Sequence, residues 1–267
     1  MNTIFYALIF IIGTLFGSFY TLAVYRIPKR QDITHTHSYC PNCDHKLGFL
    51  DLIPILSYIF LGAKCRYCKR KIRPRYFILE ILSGVLFLSI AVLTNFSIDT
   101  LTATKIIEFS FFVLYLTYII LICGIDKETK KMDKLVSVYG IVISILYMVY
   151  LCIVEQASIY RYGIYLVFFI IILLIDTITL KKYAKNSYIN GILLMIIIMA
   201  VFTNEYILIS GVILSLLTIA IYMLIYKIDK KIKNKHAKNI AKDIPIGFCL
   251  GVCNIIWTLL ALVFNYI

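Results

Sequence analysis

"LICGIDKETKKMDKL", residues 121–135, decides the fold. It closes the apolar run 106–125 with a carboxylate, Asp126, and then fills a tight turn with Lys127, Lys130, Lys131 and Lys134. A second apolar run, 135–154, starts directly behind that turn. Runs of about twenty apolar residues have the length that crosses a bilayer core as a helix. A basic turn between two of them reads as a membrane hairpin whose turn faces the cytoplasm. Six more apolar runs lie outward of this hairpin, at 4–25, 77–94, 162–180, 189–203, 206–226 and 245–266, and 189–203 is the shortest.

The composition agrees with that reading. The chain has 267 residues, is 61% hydrophobic and only 15% charged, and its mean hydropathy is +0.90. A soluble domain of this length has too little interior to hide so much apolar surface. A net charge of +13 in a soluble protein would suggest nucleic acid. Here the charge lies in the connections between apolar runs, so no nucleic-acid partner is expected. Connections 26–76, 127–134, 181–188 and 227–244 hold 25 of the 27 Lys and Arg, and the alternate connections hold only Lys105 and Arg161. The positive-inside rule puts the first set in the cytoplasm and both termini outside. The first run lacks a basic flank before it and is followed by Arg26, Lys29 and Arg30, the pattern of a span rather than of a cleaved signal. The expected fold is an all-α polytopic membrane protein of about eight transmembrane helices. Its expected parts are a first helix (1–25), a cytoplasmic loop (26–76) and a seven-helix membrane domain (77–267).

That loop carries "YCPNCDHKLG" and "AKCRYCKRKI", which supply Cys40, Cys43, Cys65 and Cys68. Two CxxC pairs separated by 21 residues are a four-thiolate zinc pattern. In a reducing cytoplasmic loop, disulfides are disfavoured. Four protein ligands leave no open position, so the zinc is expected to be structural. Iron in the same cage and four free buried thiols are the alternatives. Between the pairs, "LDLIPILSYIFLG" is too short to span and reads as an interfacial or substrate-facing segment. Gly13 and Gly17 have GxxxG spacing, which permits close helix packing but is common by chance.

Taken in order, these segments resemble the type IV prepilin peptidase family. "GTLFGSFYTLAVYRIPKR" (13–30) is similar to that family's GSF…RxP opening. The cysteine loop, "IPILSYIFLGAKCRYCKRKIRPRYFILEILSG" (53–84) and "DIPIGFCLG" (243–251) also correspond. The resemblance implies a GxGD-type intramembrane aspartyl protease in the bacterial cytoplasmic membrane. Such an enzyme cleaves the leader of prepilin or pseudopilin substrates at the cytoplasmic face. It implies a second activity too, methylation of the new N-terminus with S-adenosylmethionine. Its first catalytic aspartate corresponds to Asp126, in "DKETKKMDK", with Met132 at the apolar position and Asp133 where the family has proline. Read without the resemblance, Asp126 is equally a solvated helix-end acid paired with Lys127 or Lys130.

The family's second aspartate lies in GxGDxK. Here that place reads "KNSYIN", with Lys185 and Ser187 for the glycines, Tyr188 for the aspartate and Asn190 for the lysine. An aspartyl protease needs two carboxylates sharing a proton, and a phenol with a reference pKa near ~10 cannot act as the base. Asp176, about 7.5 Å along a helix from Lys181, is a possible substitute or an acid that reaches out to Lys181 and Lys182. Glu80 matches the glutamate of the family's RYxxxE and is expected to be structural or to anchor a basic leader. The expected function is prepilin leader peptidase and N-methyltransferase. The alternatives are a cleavage-deficient paralogue that only methylates, or a non-catalytic pilin-binding scaffold.

Overall fold

A computed structural model describes the chain except residues 36, 155–158, 181–186, 233–244 and 265–267; it also omits the side chains of 159, 176–180, 187 and 226–232. The described residues form nine α-helices and no strand. They are α1 (Asn2–Arg26), α2 (Leu56–Phe60), α3 (Pro74–Leu93), α4 (Ala103–Thr129), α5 (Lys134–Val154), α6 (Ile159–Leu180), α7 (Ser187–Phe202), α8 (Glu205–Ile232) and α9 (Ile246–Val263). All but the five-residue α2 fall on the eight apolar runs of the sequence. Six are long and apolar enough to cross a membrane, and Tyr160–Ile175 and Tyr188–Phe202 are shorter apolar stretches. This is a polytopic all-α membrane protein.

The chain divides into two compact units, residues 1–113 and 114–267, with the division inside α4. In the first unit α1 packs along α3. The contact is close because it runs over small residues. A Cβ on Gly13 would lie 2.8 Å from the Cα of Gly84, and one on Gly17 would lie 2.7 Å from the Cα of Glu80. The GxxxG spacing is therefore used here, as backbone-to-backbone approach needs.

In the second unit α7 packs on α5 and α6, and α8 packs on α9. Met195, Ile198 and Met199 of α7 are almost completely buried, as is Tyr118 of α4. Gly140 of α5 admits both neighbours, since a Cβ there would lie 2.5 Å from the Tyr118 ring and 2.7 Å from Ile198. Outward, α5 exposes Val138, Val142, Leu146, Val149 and Ile153, and α8 exposes Ile213, Leu216, Leu217 and Leu224. Apolar faces of this extent are stable against lipid tails and are an aggregation liability in water. At the start of α6 and α8, Arg161 and Glu205 form an ion pair at 3.7 Å, exposed enough to contribute little energy.

Candidate functional site

Among the described residues, two groups of side chains are candidates for chemistry, one in each unit. The first is the cysteine module. Each CxxC pair folds as the same small turn. Cys40 N–H bonds to His45 O and Asp44 N–H to Cys40 O; Cys65 N–H bonds to Arg70 O and Lys69 N–H to Cys65 O. Short antiparallel bridges, Tyr39 with Lys46 and Lys64 with Lys71, close the two turns. Asp44 and Lys69 take the equivalent positive-φ position just after the second cysteine of each pair. The turns are tied to each other. Arg70 donates to Asn42 Oδ1 at 2.8 Å, and the rings of His45 and Tyr67 lie 3.5 Å apart. Asp51 accepts Arg66 Nε at 2.6 Å, Tyr67 OH at 3.2 Å and Gly48 N–H at 3.1 Å. Burial opposes ionisation of Asp51, but the Arg66 bond and charge outweigh it and hold the carboxyl below its ordinary value.

All four sulfur atoms lie within 4.8 Å of one another, and Cys40 Sγ is 3.9 Å from Cys68 Sγ. A tetrahedron of thiolates on zinc has edges of ~3.8 Å for Zn–S bonds of about 2.3 Å. The cluster could hold a metal ion such as zinc. Burial raises the Cys65 thiol, but backbone N–H groups of Cys68 and Tyr67 and the neighbouring thiols draw it down to about 7, where a thiolate is readily available. Arg26 braces the loop from the end of α1. It is 5% exposed and donates to Asp32 O at 2.9 Å and His37 O at 3.1 Å. Glu80, in α3, accepts Ile55 N–H at 2.8 Å and a hydrogen bond from Ser18. These contacts tie it to the inter-cysteine segment and to α1.

The second group surrounds Asp126 in the last turn of α4. Asp126 is 0% exposed, so it is not a solvated helix-end acid. Its two carboxylate oxygens have separate partners. Tyr188, at the start of α7, donates its hydroxyl to Oδ1 at 2.9 Å. Phe248 donates its backbone N–H to Oδ2 at 3.0 Å. The same tyrosine hydroxyl accepts Ile246 N–H at 3.1 Å. Ile246 and Phe248 are in the first turn of α9, where backbone N–H groups have no partner within the helix and suit an anion. Lys127 lies 4.6 Å from the centre of the Phe248 ring, a cation–π contact. Met132 is buried and fills the space left by two glycines, since a Cβ on Gly191 or Gly247 would collide with its side chain.

Of the residues singled out from the sequence, the structure brings together Asp126, Tyr188 and Met132. It adds the backbone N–H groups of Ile246 and Phe248, which had no assigned role. Their signal was Pro245–Ile246–Gly247, a helix start with a glycine where Asp126 Oδ2 would lie 3.2 Å from a Cβ. Asn190 is buried at 8% exposure. The side chains of Asp176, Lys185 and Ser187 lie outside the described residues.

The model of the "Bacterial Peptidase A24 N-terminal domain" matches residues 11–94, the stretch from α1 through both cysteine turns to the end of α3. Curated relatives bear one name, prepilin leader peptidase/N-methyltransferase. The protein from Myxococcus xanthus (strain DK1622) is 39% identical over 84 residues, 32% of this chain and 25% of its own length. That from Vibrio cholerae is 32% identical over 124 residues, 43% of this chain and 49% of its own length. That from Bacillus subtilis (strain 168) is 34% identical over 102 residues, 38% of this chain and 41% of its own length. Over these stretches the chain is similar to the prepilin peptidase family. The likeness to these relatives spans about half of their length or less. No solved structure matches the chain.

Proposed function

We propose that this multi-pass protein of the bacterial cytoplasmic membrane is a prepilin leader peptidase of attenuated cleavage power. The observation that carries the reading is the burial of Asp126 in hydrogen bonds to Tyr188 and to the first turn of α9. In this reading Asp126 is the base. It takes a proton from water as the water oxygen attacks the scissile carbonyl of a prepilin or pseudopilin. Tyr188 swings its hydroxyl from Asp126 to the developing oxyanion and stabilises it by a hydrogen bond. Asp126 then returns the proton to the leaving amine. The phenol can donate but cannot replace the second carboxylate as base, and loss of one partner of an acid–base pair costs ~10²–10⁴-fold. Asp176 is the substitute if a second carboxylate takes part.

The cysteine cluster is proposed to hold a structural zinc, with Cys40, Cys43, Cys65 and Cys68 as ligands. Charge distribution supports a cytoplasmic site with both termini outside. Glu80, through Ile55, shapes the loop facing the leader. S-adenosylmethionine would supply the methyl group for N-methylation; no residue is assigned to it.

A second reading is favoured by one specific feature, the occupation of Asp126 Oδ1 by Tyr188. In it the chain binds pilin-like proteins and methylates them, or serves as a scaffold, without cleavage. Co-expression with a prepilin-like substrate and mass determination of the substrate N-terminus separates the two. Slow cleavage that Asp126→Asn abolishes is expected. Full-rate cleavage that persists in Asp126→Asn would overturn the assignment of Asp126.

A further inference from the structure

We propose that Phe49–Phe60, the segment between the two cysteine pairs, is a membrane-interface anchor seated among anionic lipid headgroups. Five of its apolar side chains are at least half exposed. Phe49 is 83% exposed, Phe60 82%, Leu50 64%, Ile59 57% and Leu56 50%. A five-residue helix, α2, cannot span a bilayer, so the segment lies on it or leaves it.

Three observations place it at the level of the lipid surface. The Tyr58 ring stacks on Phe77 with centroids 4.8 Å apart and planes 18° apart. Ile55 donates its N–H to Glu80 at 2.8 Å. Phe77 and Glu80 are the fourth and seventh residues of α3, a helix long and apolar enough to span. They lie about 4.5 and 9 Å along its axis from Pro74. An interfacial helix buries its apolar face about 5–10 Å into the boundary between headgroups and acyl chains. The segment is also bent into this place. Ile55, a β-branched residue, has φ +63° and ψ −54°, a strained backbone. The Glu80 bond holds that strained bend. Gly62 and Ala63, both at positive φ, turn the chain back after α2.

Charge selects the occupant. Beyond that turn, Lys64, Lys69, Arg70 and Lys71 are all exposed. The whole loop 26–76 has eleven Lys and Arg against three Asp. Such a surface attracts an anionic leaflet. The anchor would set the height of the cysteine centre above the membrane.

The test uses the full chain in vesicles. Phe60→Trp is made in a Trp257→Phe background, and metal content equal to the parent's confirms a folded loop. Vesicles contain phosphatidylglycerol or phosphatidylcholine brominated near the headgroup. The expected result is blue-shifted emission, strong quenching by the brominated lipid, and stronger quenching in phosphatidylglycerol than in phosphatidylcholine. Lys64→Gln with Lys69→Gln and Lys71→Gln should remove that difference. If Phe60→Trp fails to fold, Leu56→Trp gives the same reading. Emission of a water-exposed indole, quenched by iodide and not by lipid, would overturn the proposal. Equal quenching in both lipids would overturn the role of the lysines. Loss of lipid quenching on adding a hydrophobic pilin-like peptide would show that a peptide, not lipid, is the occupant.

Discussion

Replacing Tyr188 with Phe removes one oxygen and the two hydrogen bonds it makes, to Asp126 Oδ1 and from Ile246 N–H. The ring stays, so packing changes little. Hydrogen bonds to charged groups contribute about 1.5–3 kcal/mol and neutral ones about 0.5–1.5 kcal/mol. Asp126 is wholly buried, so water does not readily replace the lost donor. The expected destabilisation is therefore about 2–4 kcal/mol. For a unit of 150–250 residues each kcal/mol moves the midpoint by about 2–4 °C, so Tyr188→Phe should lower it by roughly 5–15 °C. Thermal unfolding of the purified protein, followed by Trp257 in α9, reads this directly. The cycle with Asp126→Ala isolates the pair. In that background Tyr188→Phe should cost only the Ile246 bond, about 1 kcal/mol, giving a coupling above about 1 kcal/mol. A drop of under about 2 °C, or the same drop with and without Asp126, would refute the hydrogen bond as an energetic link.

The purified parent should carry about one zinc per chain, and Cys40→Ser with Cys65→Ser should release it and loosen the loop, because binding energy there is folding energy; metal analysis checks both. A reporter fused after Arg161 should read outside and one fused after Lys185 inside, and any other pairing breaks the proposed topology. Restoring the second motif by Lys185→Gly, Ser187→Gly, Tyr188→Asp and Asn190→Lys together should raise cleavage of a prepilin-like substrate. Tyr188→Ala should not, so equal gains from both would show that the bulk of the ring, not the missing acid, limits cleavage.

The helices were legible because the bilayer imposes their length and loop charge marks their ends. The cysteine centre was legible because a metal dictates ligand spacing, and Asp44 and Lys69 then bend the chain equivalently after each pair. The surroundings of Asp126 were only half legible. Its lysine neighbours in sequence suggested ion pairs, yet the carboxylate turns inward to Tyr188, 62 residues away, and to Phe248, 122 residues away. Such partners follow from how α4, α7 and α9 pack, which no local pattern records. The GxxxG of α1 shows the converse. Its spacing alone was uninformative, and only Gly84 and Glu80 on the facing helix give it a function.

The tyrosine also supplies a hydrogen-bond donor to a carboxylate buried there. An aspartate at 188 would be shorter than tyrosine by about the width of the ring. Two carboxylates would then face each other across a gap suited to a water, sharing one proton because like charges so close do not both ionise. In the reading proposed above, Tyr188 spans that gap, donating to Asp126 and accepting from Ile246, so that one hydroxyl stands in for both the second acid and the water. The helix N-terminus of α9 completes the shell with the backbone N–H groups of Phe248 and Gly247. In that reading, hydrolysis needs a water where the phenol now lies. If the chain cleaves as proposed, Tyr188 must move first, and that movement is the origin of the attenuation in this reading.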